Sequence, residues 1–202
     1  AHESLAALLD HKAPGSRMVL PEALKSLLNV GGVDQAENRR AVLLALAAYL
    51  SEKNLAHVIP EAQNWPRIRP VMLTLQGRYD SAQHFAISSA LAAWAGEPIA
   101  DAIGVQKEML DAQHGSGFSF ADLAADRAGT RFGEQLTRHP ERIDRLLASE
   151  FSDRDIAPAL NGLPENMSER EFRHRFGGPG NPAYQQMLGE IERRLNKIPL
   201  YE

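Results

Sequence analysis

Three consecutive Ala-rich segments, 81–95, 97–113 and 119–138, carry apolar residues at helical spacing. Each also places ionisable residues where a plain packing helix would carry Leu or Ala. Asp80 and His84, Glu108 and Asp111, and Asp122 and Asp126 stand three or four residues apart, so each pair shares one helix face. A buried carboxylate is costly unless it is paired, hydrogen-bonded or bound to a metal. Polar groups recurring in successive apolar helices therefore point to a polar site built between those helices.

The rest of the chain is also helical in period. Ser4–Lys12 and Pro21–Asn29 read as short helices, and Gly31-Gly32 breaks the chain after them. Gln35–Asn54 reads as the longest helix, with Val42, Leu43, Leu46, Ala47 and Leu50 as its buried stripe. His57–Pro70, with prolines at 60, 66 and 70, predicts a loop with at most one helical turn, and Val71–Leu75 a short strand or a lead-in to the next helix. Gly96 ends the 81–95 helix and Pro98 sits in the first turn of the next. His114-Gly115-Ser116-Gly117 is a connection, and Ser119 with Asp122 is a capping-box-like start for the third segment. Pro140–Glu150 and Tyr184–Lys197 read as further helices, separated by Pro- and Gly-interrupted pieces. The expected fold is all-α: an irregular helical bundle of short helices and long Pro/Gly-containing loops. It forms one domain, 1–202, with a core at 33–150 and an irregular C-terminal extension at 151–202.

Composition narrows the function classes. A net charge of −4 with scattered basic residues gives no electrostatic reason to expect a nucleic-acid partner. The absence of cysteine excludes disulfides, thiol nucleophiles and Cys-ligated zinc, and it suits an oxidising compartment. The longest apolar run, Ala41–Leu50, is ten residues, too short for an integral membrane segment. A start at Ala1 fits either a secretory precursor freed of its signal peptide or a trimmed chain.

His84, Glu108, Asp126, Asp80, Asp111 and Asp122 are the candidate catalytic residues. Asp80, His84 and Ser88 follow one another at intervals of four, so Asp80 is placed to hold the imidazole tautomer. The simpler account is that Asp80 caps the helix and His84 is a satisfied core histidine. Lys107 and Asp111 have the spacing of a surface ion pair, and Asp122 that of an N-terminal carboxylate facing the helix dipole. Glu108 lies near the apolar stripe of Ile103, Met109 and Leu110, and Asp126 is surrounded by alanines, so those explanations fit them less well. Gly104, Gly129 and Gly133 suggest close helix approach around these carboxylates.

Two chemistries suit such a set. One is a divalent metal, zinc, manganese or iron, held by His84 and carboxylates, although a Glu-x-x-His signature is missing and one histidine is few. The other is general acid–base hydrolysis by a protonated and an ionised carboxyl. His114-Gly-Ser-Gly does not match a nucleophile elbow, and Gly177-Gly178-Pro179-Gly180 lacks the Lys-Ser/Thr of a phosphate loop. Trp65, in its Pro-rich loop, is the best candidate for an exposed aromatic.

The order Asp80-x-x-x-His84-Phe85, Lys107-Glu108-x-x-Asp111, then Gly117-Phe118-Ser119-Phe120-Ala121-Asp122-Leu123-Ala124-Ala125-Asp126-x-x-Gly129 resembles the YfiM-type family of small bacterial envelope proteins. More distantly it is similar to VanZ-like proteins, in which a His-Phe helix, a Lys-Glu pair and an Asp-Leu-x-x-Asn/Asp-x-x-Gly helix recur in that order. The resemblance covers residues 79–130 and implies an envelope location in a Gram-negative bacterium, without specifying an activity. This chain departs from the pattern in lacking a lipidated cysteine and membrane-spanning hydrophobicity.

Two functions follow as expectations. The first is a periplasmic or secreted hydrolase or lyase acting on a cell-envelope polymer such as peptidoglycan or another glycan. The second is a non-enzymatic envelope adaptor or assembly subunit. There the polar cluster would fix helix register, and the C-terminal region would dock a protein partner.

Overall fold

Alanine and glycine set the architecture, because small residues let helix axes approach closely. The computed structural model describes residues 1–29, 34–52, 59–114 and 117–202. In chain order the elements are α1 (His2–Asp10), β1 (Arg17–Val19), α2 (Leu20–Leu28), α3 (Gln35–Leu50), a 3-10 turn (Pro60–Asn64), β2 (Met72–Thr74), α4 (Tyr79–Ala95) and α5 (Glu97–His114). There follow α6 (Phe120–Arg138), α7 (Pro140–Leu147), α8 (Asp153–Ile156), α9 (Glu169–Phe176), α10 (Pro182–Leu195) and a last 3-10 turn (Pro199–Tyr201). The fold is an all-α helical bundle. Its one sheet among the described residues is a parallel pair of three-residue strands, registered Arg17 to Met72, Met18 to Leu73 and Val19 to Thr74.

α4 is the central helix. It buries residues on every side, among them Ala82, Phe85, Ala86, Ser89, Ala90 and Ala93, as a helix enclosed by others must. α3 and α6 pack along it, and α5 closes over α4 and α6. The tightest approach is between α4 and α6: a β-carbon on Gly129 would collide with the Phe85 carbonyl, and one on Gly133 with the Ser89 carbonyl. Here the two glycines act by their missing side chains, not by backbone freedom.

One apolar cluster runs from Leu5 and Leu9 of α1 to Leu195, Leu200 and Tyr201 at the end of the chain. The segments before residue 33 and after residue 150 thus share the interior of the 33–150 region. Tyr201 reaches inward, its hydroxyl donating to the Ala128 and Ile156 carbonyls at 3.1 and 2.7 Å. Phe118, Phe120, Phe172, Phe176 and Tyr184 form an aromatic block in which Phe118 and Phe172 stack with centroids 4.0 Å apart. α9 and α10 are thereby fastened to the start of α6.

Several sequence boundaries shift. α3 ends at Leu50 because Ser51 takes the C-cap position and Glu52 turns to φ 55°; the rest of the expected 35–54 helix lies outside the described residues. α6, with 19 residues, is longer than α3, with 16. Met72–Thr74 is a strand rather than a lead-in, since Arg17–Val19 pairs with it. α8 and α9 lie in the segment expected to be irregular, each started by a serine cap, Ser152 and Ser168. Of the expected 114–117 connection, His114 instead ends α5, and residues 115 and 116 lie outside the described residues. Among the described residues, no helix is long and apolar enough to cross a membrane.

Candidate active site

The site forms where α4, α5 and α6 meet, and each helix contributes for a local reason. α4 turns His84 and Ser88, one turn apart, toward α6. There Asp126 Oδ1 lies 3.1 Å from His84 Nδ1 and accepts from Ser88 Oγ at 2.8 Å. α5 brings Glu108, fully buried, with Oε1 4.0 Å from His84 Nδ1. Asp122, one turn before Asp126 on α6, has Oδ2 3.8 Å from His84 Nε2.

The start of α6 explains how Glu108 is held. Ser119 is the N-cap, its side chain accepting from the Asp122 N–H at 3.0 Å. In a capping box the third helical residue would return the favour to the cap N–H. Here the Ser119 N–H instead donates to Glu108 Oε2, at 2.9 Å, across from another helix. The Asp122 carboxylate is left free to face His84. The loop before Ser119 is strapped in place by Met167, which exchanges backbone hydrogen bonds with Phe118 at 2.7 and 3.0 Å, and by the Phe120 N–H donating to the Pro164 carbonyl at 2.8 Å.

Burial sets the electrostatics. It pushes the Glu108 carboxyl up to about 7, against the opposing pull of His84 and Lys107. Asp122 is likewise raised by burial, with His84 opposing. Burial alone would depress His84, but the hydrogen bond and charge of Asp126 outweigh it and leave the imidazole raised. Burial would depress Lys107 too, yet its hydrogen bond with Asp111 leaves it raised. Glu108 Oε1, Asp122 Oδ1 and Asp126 Oδ2 are buried and meet no hydrogen-bond partner among the described residues. A cavity of about 30 Å³, lined by His84, Ser88, Gly104, Lys107 and Asp126 among others, adjoins the Asp126 carboxylate. It has room for an ordered water.

Of the six sequence candidates, the structure brings four together: His84, Glu108, Asp122 and Asp126. Asp80 stands apart. Its carboxylate is bound by the Arg78 guanidinium at 3.1 and 2.8 Å and caps the Ser81 N–H, and the Arg78 hydrogen bond holds it below the usual carboxylate range. The imidazole partner expected from Asp80 is therefore supplied by Asp126, 42 positions along the chain. Asp111 lies outside the buried group and accepts from Lys107 Nζ at 2.6 Å, the surface pair its spacing suggested. Lys107 does more than pair, since Nζ also lies 3.3 Å from His84 Nε2 and 3.6 Å from Glu108 Oε1.

The residues missing from the sequence candidates are Ser119 and Arg78. Ser119 was legible as a cap but not as the anchor of Glu108, which is a contact between helices. Arg78, one residue before α4, lies between Asp80, Glu165 at 2.6 Å and Asp122 at 3.7 Å; no periodicity singles it out. One ligand-capable atom from each of His84, Glu108 and Asp126 lies within 4.8 Å of the others. Chemically the arrangement can orient and deprotonate a water, or hold a cation that does so. Comparison with protein-family models, with curated proteins and with solved structures finds no match for this chain.

Proposed function

We propose that this chain is a hydrolase or lyase of the bacterial cell envelope, periplasmic or secreted, that cleaves a polymer such as peptidoglycan or another glycan. The observation that supports an enzyme is the convergence of His84, Glu108 and Asp126 from three helices around buried carboxylate oxygens lacking donors. A cluster serving packing alone would satisfy those oxygens, because an unpaired buried acceptor costs about 1–3 kcal/mol. The envelope location rests on the resemblance of residues 79–130 to YfiM-type proteins and on the cysteine-free composition.

In this reading the inner trio takes a proton from water as the oxygen attacks the substrate. The scissile bond breaks, and a proton passes to the leaving oxygen. Lys107, half exposed, and Asp122 lie at the outer edge, where they meet the substrate. Isolated sacculi and soluble glycans incubated with purified protein test this. Soluble fragments should be released, and His84→Gln, Glu108→Gln and Asp126→Asn should each lower the rate by at least about 100-fold. Glu61→Gln, on an exposed 3-10 turn, should not. Folded variants that cleave as well as the parent sink the reading.

One observation favours the adaptor alternative. Ile99, Ile103 and Leu110 of α5 are 52%, 44% and 47% exposed and share one open face of that helix. Tyr184, Ile191 and Leu195 of α10 are instead turned inward. A docking face on this chain is therefore better sought on α5 than on the last helix. Thermal stability separates the readings: neutralising Glu108 or Asp126 destabilises a purely structural cluster and spares or stabilises a functional one.

A further inference from the structure

The inner trio has the anatomy of a metal site. Glu108 is 0% and Asp126 6% exposed, and Glu108 Oε1 and Asp126 Oδ2 have no hydrogen-bond partner among the described residues. Each acid is fixed by its other oxygen: Glu108 Oε2 accepts from the Ser119 N–H at 2.9 Å and Asp126 Oδ1 from Ser88 Oγ at 2.8 Å. Ligand carboxylates are commonly held in this way, one oxygen anchored by the protein and the other presented to the ion.

The separations suit an ion as well. His84 Nδ1 lies 4.0 Å from Glu108 Oε1, and one ligand-capable atom from each of His84, Glu108 and Asp126 lies within 4.8 Å of the others. Bonds of about 2.0–2.2 Å place adjacent ligand atoms about 3 Å apart and opposite ones about 4 Å apart. With Nδ1 turned to the ion, the ring proton moves to Nε2, which lies 3.8 Å from Asp122 Oδ2 and becomes free to donate to it once Lys107 Nζ, 3.3 Å away, withdraws. A carboxylate behind the far nitrogen of the imidazole is the usual outer partner of a metal-bound histidine. The adjoining cavity of about 30 Å³ leaves space for a water as a further ligand.

Lys107 supplies the counter-charge in the ion's absence. Its Nζ lies 3.6 Å from Glu108 Oε1, but its side chain is 45% exposed and already bonded to Asp111 at 2.6 Å. The ammonium can retire toward Asp111 without being stranded. We infer that His84 Nδ1, Glu108 Oε1 and Asp126 bind one divalent transition ion of the zinc or manganese class between α4, α5 and α6. One imidazole with two carboxylates is a mixed N/O set that such ions accept.

The inference goes beyond the hydrolase reading and does not depend on it. If no ion binds, that reading stands on acid–base chemistry; if the ion binds but nothing is cleaved, the metal site stands alone. The test loads chelator-treated full-length protein with Zn²⁺ or Mn²⁺, followed by desalting, elemental analysis and calorimetric titration. One ion per chain is expected, with affinity lowered at least 100-fold in His84→Gln, Glu108→Gln and Asp126→Asn. Zn²⁺ should also move the ¹⁵N resonance of His84 Nδ1 in the unmutated protein, a readout that needs no variant to fold. Substoichiometric uptake, uptake unchanged in all three folded variants, or a stationary His84 Nδ1 resonance overturns it.

Discussion

Gly129 of α6 lies directly against the Phe85 carbonyl of α4, leaving no space for a β-carbon. Each neighbours a site residue: Phe85 follows His84, and Gly129 lies three positions after Asp126, nearly one turn of α6. The glycine therefore sets the depth at which the two helices meet, and with it the 3.1 Å contact between His84 and Asp126. The Gly133 contact with Ser89 repeats the device one turn further on.

Gly129→Ala is accordingly expected to destabilise the protein by about 2 kcal/mol, within the range for overpacking a close interface, despite alanine's better helix propensity. Urea unfolding measures the loss. The side chain also forces α4 from α6, so any activity or ion uptake should fall more steeply than stability alone explains. A variant as stable as the parent would show that the helices can separate at no cost.

The raised Glu108 carboxyl makes stability depend on pH. A group whose folded pKa exceeds its unfolded value contributes stability below the unfolded value and loses it as pH rises through the folded one. For Glu108 that window runs from 4.5 to about 7. At about 1.4 kcal/mol per unit the full loss is on the order of 3–4 kcal/mol. His84, also raised, acts in the same direction over a window beginning at 6.5. Metal-free protein should therefore unfold at a lower temperature at pH 8 than at pH 5, and Glu108→Gln should flatten most of that difference. Equal pH dependence in parent and variant would place the proton elsewhere.

The helical character and the three inward acids were legible because polar side chains at three- and four-residue spacing stand out against alanine. Asp126 among Ala124, Ala125 and Ala128 is the clearest case. What spacing could not reveal was pairing between helices. Asp80 shares a face with His84 by count, yet Arg78, two residues back, captures it first. Ser119 reads as an ordinary cap, but its N–H goes to Glu108, a partner only the packing of α5 on α6 supplies. β1 escaped notice because three residues carry too little alternation, and its strand character comes from its partner Met72–Thr74.

The aromatic block ties the C-terminal helices to the site. Phe172 of α9 stacks on Phe118, whose neighbour Ser119 anchors Glu108. Phe172→Ala should cost about 3–5 kcal/mol, the usual range for emptying a buried phenylalanine position. It should also admit water near the start of α6 and draw the Glu108 carboxyl back toward its ordinary range. Denaturant unfolding and carboxyl-carbon NMR titration read the two effects separately. A large stability loss with an unmoved Glu108 titration would mean that other walls keep that carboxyl dry.

Gly104 offers the sharpest separation of site from scaffold. A β-carbon there would lie 3.2 Å from Asp126 Oδ2, the buried oxygen without a donor. That is tight contact with a side chain, not backbone, so Asp126 can give way by a few tenths of an ångström. Alanine also gains about 1 kcal/mol over glycine within a helix. Gly104→Ala should therefore leave the unfolding free energy unchanged or slightly higher. It should nonetheless weaken zinc or manganese uptake about tenfold or more, by displacing the oxygen and narrowing the cavity that Gly104 lines. Loss of stability and uptake together would make Gly104 a packing residue. Retained stability with lost uptake would show that the space beside Asp126 Oδ2 is reserved for the ion.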